Sequence, residues 1–288
     1  MTVLGIIGGS GLYDLDALED REWRPVTTPW GNPSDDLLFG RIGERRMVFL
    51  PRHGRGHRLL PHEINYRANV AALKLAGCTD VLSVAACGSF REELPPGSFV
   101  MIDQIVDRTR ARARTFFGEG IAAHVGLSDP ICGRLRGIVG DAAAQAEINV
   151  TQNGTYLCME GPQFSTRAES RLYRAGGLDV IGMTAMPEAA LAREAELCYA
   201  VMAMVTDYDS WRDDEGGAHT ADILSVMHAN VEYARNIVTA LARLDHGDRQ
   251  PCSHGCDRAL DHAIITPRAA WPDMTVRALQ TIAGRVLS

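Results

Sequence analysis

Apolar residues fall along this chain in two interleaved rhythms. Short runs rich in Val, Ile, Leu, Ala and Met near 3–7, 46–51, 79–86, 98–107, 178–183 and 199–206 read as strands. Between them, stretches near 62–76, 130–146, 165–176, 187–197 and 219–243 space their apolar side chains as amphipathic helices do. The interleaving predicts an α/β fold, a mixed central β-sheet flanked by helices. No internal repeat, low-complexity tract or Gly/Ser linker divides residues 1–288, so a single domain is expected. An irregular arm over about 245–272 leads to a closing helix over about 274–287.

Several strands end in residues that can do chemistry. The run ending at Val205 leads into Thr206-Asp207-Tyr208-Asp209. On an extended chain residues two apart point the same way, so Asp207 and Asp209 can converge on one ligand at the carboxyl edge of the sheet. A purine with a 6-amino group offers an accepting N7 and a donating NH2, which one protonated and one ionised carboxyl would match. A solvated loop is the alternative reading of the same acids.

Two other turns suit anions. Gly8-Gly9-Ser10-Gly11 closes the first strand, and its successive N–H groups with a hydroxyl form a phosphate nest or a plain tight turn. It fails the dinucleotide register, and it lacks the lysine of a Walker loop, since Lys74 is the only lysine in the chain. Pro51-Arg52-His53-Gly54-Arg55-Gly56-His57 sets guanidinium forks and imidazoles just past another strand, a phosphate site or a basic surface turn. His53, His57 and His62 lack the helical spacing of a metalloprotease. Ala85-Ala86-Cys87-Gly88-Ser89 and Ile181-Gly182-Met183-Thr184 each join small residues to a hydroxyl.

Composition narrows the classes. With 288 residues and 46% hydrophobic content, one large core can be buried. A net charge of −7 argues against a nucleic-acid partner. No run approaches a membrane span and no opening segment reads as a signal peptide, so a cytoplasmic location is expected. Seven cysteines then imply mostly buried, reduced thiols. Cys252-Ser253-His254-Gly255-Cys256 stands apart: a disulfide, metal binding through His254 that lacks a fourth ligand in sequence, or two ordinary thiols.

With Asn65-Tyr66-Arg67-Ala68-Asn69, Glu160-Gly161-Pro162-Gln163-Phe164-Ser165 and Met186-Pro187-Glu188 added, the chain resembles the trimeric purine nucleoside phosphorylases. The nearest likeness is to the branch that cleaves S-methyl-5'-thioadenosine, and it runs from Gly5 to about Ile237. It implies a phosphate site of Ser10, Arg52, His53, the backbone at Ala86, and Thr184. Phe164 would stack on the purine, Met183 would lie against the ribose, and Asp207 and Asp209 would read the base. Thr220, Ile223 and Leu224 would line the pocket for the 5'-tail. The implied reaction is phosphorolysis to adenine and 5-methylthioribose 1-phosphate, with Asp207 as proton donor and inorganic phosphate as co-substrate. No metal or organic cofactor is implied. A homotrimer is, with 61–76 and 109–126 as interface candidates.

Four positions depart from the family pattern. Gly182 stands where many relatives have asparagine, and Ala85 where some place a threonine on the phosphate. Thr220 replaces an aliphatic residue, and the neighbouring His219 resembles a histidine that in other relatives binds a 5'-hydroxyl. These leave open a broader phosphorylase acting on adenosine, 5'-deoxyadenosine or methylthioinosine. Asp207 and Asp209 weigh against 6-oxopurines, because a carboxylate facing O6 sets acceptor against acceptor. A nucleoside-binding module without turnover is the third reading. The Cys252–Cys256 spacing is two residues wider than the C-x-C of some relatives.

Overall fold

The computed structural model describes residues 2–9, 11–212, 220–244 and 250–287, and of residues 220–224 the backbone alone. Strands form at each predicted run: β1 (Val3–Gly8), then β4 (Arg45–Pro51), β5 (Cys78–Ser89), β6 (Phe99–Asp107), β8 (Val180–Gly182) and β9 (Cys198–Tyr208). Three more were hidden in the sequence: β2 (Glu19–Arg24), β3 (Leu37–Ile42) and β7 (Val150–Cys158).

Each had a physical disguise. β2 is almost wholly charged and exposed. β3 is short and broken by Gly40, where a Cβ would press to 2.7 Å from the Leu18 side chain. β7 contains Asn153-Gly154, a pair that reads as a hairpin turn. Here Gln152 pairs with Met101 and Gly154 with Ile102, so Asn153 is squeezed out as a bulge with φ of 67°.

The sheet runs β2-β3-β4-β1-β5-β8-β7-β6-β9, and β9 turns back to pair along β5. Strands β5, β8, β7, β6 and β9 thus close into a ring, with β1 to β4 as an open wing. β1, β4, β5 and β9 are mutually parallel, so their carboxyl ends share one edge.

The predicted helices appear within about four residues of their expected ends: α1 (Tyr66–Leu75), α2 (Gly133–Gln145), α3 (Arg167–Ala175), α4 (Ala185–Glu194), α5 (Thr220–Arg243) and the closing α6 (Asp273–Leu287). Caps decide the starts. Asn65 accepts from the Ala68 N–H, and Thr166 with Glu169 forms a capping box. The core is a continuous apolar cluster in which every residue from Cys198 to Val205 is buried, as a strand covered on both sides requires. The arm keeps two short 3-10 turns, Cys256–Arg258 and Arg268–Ala270.

Candidate active site

A fork in the sheet makes the site. Along one edge of β5, β1 pairs with the stretch up to Ser83, whereas β8 joins only at Gly88 and Ser89. On the other edge β9 pairs throughout. Val84 to Cys87 therefore have no strand partner on the first edge, and they lie toward the carboxyl end of the parallel strands, where α/β sheets bind ligands. Ala86, the expected backbone contact for phosphate, is half-buried in this stretch.

Arg52 reaches this stretch from the end of β4, its backbone N–H fixed to the Gly8 carbonyl at 2.9 Å. The guanidinium is buried and mostly committed inward. Nε donates to Glu188 Oε1 at 2.6 Å, Nη2 to Ser83 Oγ at 2.6 Å and Glu188 Oε2 at 3.4 Å, and Nη1 to the Val84 carbonyl at 3.0 Å. Of five N–H groups, one on Nη1 is left for a ligand. Burial opposes the charge, but the Glu188 carboxylate more than offsets it and raises the pKa of Arg52.

The bidentate fork anticipated for phosphate is thus turned to Glu188, which also accepts from Ser83 and the Tyr199 hydroxyl, both at 2.9 Å. His53 Nδ1 meets the Leu59 carbonyl at 2.9 Å, and its ring stacks on His57 at 4.3 Å. Burial and the neighbouring Arg52 charge lower the His53 imidazole to about 4, so it is neutral near pH 7. Thr184 is buried at the N-cap of α4, yet its hydroxyl makes no capping bond. Arg55 lies apart, paired with Asp35 at 2.7 Å and Asp36 at 3.2 Å.

The acidic pair sits at a second bulge. Val205 pairs with Cys87 and Asp207 with Gly88, so Thr206 is the extra residue, and such bulges re-aim side chains beside sites. A Cβ on Gly88 would lie 3.2 Å from Asp207 Oδ2 and 3.3 Å from Asp209 Cβ; the two acids do converge, around a glycine that leaves them room. Their environments differ. Asp207 is half-buried, and its Oδ1 accepts from the Thr206 hydroxyl at 2.7 Å. Asp209 is buried, with both oxygens on Ser165 Oγ at 2.8 and 2.7 Å. Burial raises its carboxyl above the ordinary range, and the Ser165 bonds offset this only in part.

Ser165 follows Phe164, which is 45% exposed at the rim of the same loop. Met183 packs on Gly161, whose φ of 71° and missing Cβ allow the sulfur so close that a Cβ would stand 2.5 Å from it. At Gly182, a Cβ would fall 1.9 Å from the Tyr156 hydroxyl oxygen. Tyr156 is wholly buried; its hydroxyl faces the Thr184 backbone without a well-formed hydrogen bond. Ser10 and His219 lie outside the described residues, as do the side chains of the tail-pocket candidates Thr220, Ile223 and Leu224.

The chain has known relatives. The family model described as "Phosphorylase superfamily" matches residues 3–243. An S-methyl-5'-thioadenosine phosphorylase of Cereibacter sphaeroides is 54% identical over 286 residues, covering 99% of each chain. The chain belongs to the phosphorylase superfamily. Another relative, the S-methyl-5'-thioadenosine phosphorylase of Geobacter sulfurreducens, is 50% identical over 98% of both chains. Among solved structures, this phosphorylase superposes with a TM-score of 0.92 and 41% identity on a methylthioadenosine phosphorylase from an antarctic soil metagenomic library, over 98% of both chains. A point mutant of the adenosine/methylthioadenosine phosphorylase of Schistosoma mansoni, in complex with adenine, gives 0.85 and 39% over 90% of this chain and 97% of its own. The resemblance in sequence and the α/β architecture with its mixed sheet are both borne out.

Sequence reasoning passed over two residues that hold the candidate site together. Glu188, quoted only as part of a motif, is the buried counter-ion of Arg52. Arg112 is buried and clamps two segments, with Nη1 donating to the Met183 and Met186 carbonyls at 2.7 and 2.6 Å and Nη2 to the Glu160 carbonyl at 2.7 Å. An arginine in a stretch poor in apolar pattern gave no local signal; its role exists only through carbonyls distant in sequence.

Proposed function

We propose that this phosphorylase is a pentosyltransferase that cleaves S-methyl-5'-thioadenosine with inorganic phosphate, giving adenine and 5-methylthioribose 1-phosphate for purine and methionine salvage. The convergence of Asp207 and Asp209 around Gly88 carries the reading. A half-buried acid backed by a second, fully buried one suits the N7 and amino edge of adenine. Methylthioadenosine phosphorylases at about half identity over the whole chain support it.

In this reading phosphate takes the remaining Arg52 Nη1 hydrogen, the Ala86 N–H, and the hydroxyls of Thr184 and Ser10. Neutral His53, with Nδ1–H given to Leu59, keeps Nε2 as an acceptor for the proton of hydrogen phosphate. A phosphate oxygen attacks C1′ while the C1′–N9 bond breaks, its electron pair passes to the purine, and Asp207 delivers a proton to N7. Orienting phosphate and sugar removes several kcal/mol of barrier. Phe164 covers the base, Met183 faces the ribose, and Thr220, Ile223 and Leu224 take the methylthio group. The reaction needs no organic cofactor. The enzyme works as a cytoplasmic homotrimer in which a neighbouring subunit closes the sugar pocket. Adenosine is the second substrate, since burying a thiomethyl group is worth only about 1–2 kcal/mol and the Schistosoma relative is named for both nucleosides.

Adenine release from methylthioadenosine, measured with and without phosphate, tests the reading. Release that requires phosphate supports it; equal release without phosphate means hydrolysis and overturns it.

A further inference from the structure

Four of the seven cysteines meet at the far end of the sheet from the acidic pair. Cys132 is the N-cap of α2, Cys198 opens β9, and Cys252 and Cys256 come from the C-terminal arm. Their sulfur atoms all lie within 4.8 Å of one another and all four residues are buried. Cys132 Sγ and Cys252 Sγ stand 3.6 Å apart. Zinc–sulfur bonds of about 2.3 Å in a tetrahedron put neighbouring sulfurs about 3.8 Å apart, whereas a disulfide draws them to about 2.0 Å.

We propose that Cys132, Cys198, Cys252 and Cys256 form a structural tetrathiolate zinc site that fastens the C-terminal arm to the sheet. In sequence the Cys252–Cys256 pair lacked partners; the fold supplies Cys132 and Cys198, more than 50 residues away from either. His254 is not among the ligands. It lies over Gly133, where a Cβ would meet its Nε2 at 2.6 Å, so the glycine makes room for the arm to dock.

The surroundings suit a metal held by thiolates. The arm makes a tight turn: Gly255, with φ of 65°, donates to the Cys252 carbonyl at 2.8 Å, and the Cys252 N–H donates to Asp257 Oδ2 at 2.9 Å. This spaces the two arm sulfurs on one side of the centre. The Leu135 N–H points at Cys132 Sγ at 3.5 Å, and such outer partners orient and tune ligands. Four thiolates on a divalent ion carry two net negative charges. Arg134, hydrogen-bonded to Cys198 and held by Asp80, and Arg193 near Cys256 bring positive charge to the cluster. Binding forms four Zn–S bonds and releases four thiol protons to solvent, with no change of oxidation state.

The role follows from the location. From Cys198 to Asp207 the strand rises about 30 Å at roughly 3.3 Å per residue, so the ion touches no reacting atom. Four protein ligands also leave no open position for substrate, as in structural zinc sites.

The test uses the full-length chain produced with zinc in the medium and purified without chelators under reducing conditions. Elemental analysis is expected to find about one zinc per chain. Replacing zinc with cobalt(II) is expected to give intense visible bands together with thiolate-to-cobalt charge transfer. Cys256→Ser should lose the metal. Because that variant can fail to fold for other reasons, the wild-type protein stripped by a chelator serves as a second arm: its Tm should fall, and zinc should restore it. Wild-type protein with zinc only at background and no thiolate charge transfer on cobalt addition would overturn the proposal. So would mass spectrometry showing these cysteines as two disulfides, or a coloured protein holding iron instead. None of these outcomes depends on which nucleoside the enzyme cleaves.

Discussion

The Tyr156 hydroxyl occupies the space that a side chain at residue 182 would need, 1.9 Å from the position of a Gly182 Cβ. Glycine at 182 and tyrosine at 156 are therefore one structural choice. Gly182→Ala is expected to destabilise the protein by about 1–3 kcal/mol through overpacking. Adding Tyr156→Phe should recover part of the loss, since a ring carbon still stands 2.6 Å from that position. Urea unfolding of the two single variants and the double variant measures the coupling; strictly additive effects would refute it.

Glu188 sits between Arg52, Ser83 and Tyr199 in the interior. Removing one member of a buried ion pair strands the other, at about 3–5 kcal/mol. Glu188→Ala should lower stability by that order. In any fraction that folds, Arg52 would be released to swing toward solvent and KM for phosphate should change more than KM for the nucleoside. Denaturant midpoints and initial rates at varied phosphate check both parts.

Asp207→Asn keeps the size of the side chain and its bond from Thr206, but takes away the proposed proton donor. A loss of about 10²–10⁴ in kcat/KM on methylthioadenosine is expected, the usual range for a general acid. On a 6-oxo nucleoside the loss should be smaller or reversed, because the amide can donate to O6. Equal losses on both substrates would remove base readout from the role of Asp207.

His53 links stability to pH. Its imidazole falls from an ordinary 6.5 to about 4 in the folded state, through burial and the Arg52 charge. Between those values the unfolded chain binds the extra proton and the native state does not. This contribution is therefore fully present above pH 6.5 and is lost as pH falls toward 4, by up to about 3 kcal/mol. His53→Asn should flatten the stability profile in that window. Chemical denaturation at a series of pH values reads the slope, and an unchanged slope would assign the acid sensitivity elsewhere.

Much of this was legible in the sequence because the central strands are covered on both faces and so read as unbroken apolar runs; Cys198 to Val205 is the clearest case. The acidic pair Asp207 and Asp209 was legible for the same reason, since it interrupts such a run. What escaped depended on pairing. The bulges at Asn153 and Thr206 are register events that local composition does not record. Arg52 announced a cation, but that its fork faces Glu188 follows from where α4 packs. Cys132 and Cys198 looked like ordinary core thiols until the arm brought Cys252 and Cys256 to them.

The ring of β5, β8, β7, β6 and β9 also bears on aggregation. A sheet that closes on itself leaves few free margins there for a stray strand to extend, whereas the rim of the wing at β2, paired only to β3, is an open edge to which another chain can add by backbone pairing. That rim presents Glu19, Asp20, Arg21, Glu22 and Arg24 to solvent. Mixed charges on an edge strand repel a flat neighbour and hold water on its free N–H and carbonyl groups. The charged segment that made β2 invisible as a strand is what lets it stand safely at the edge.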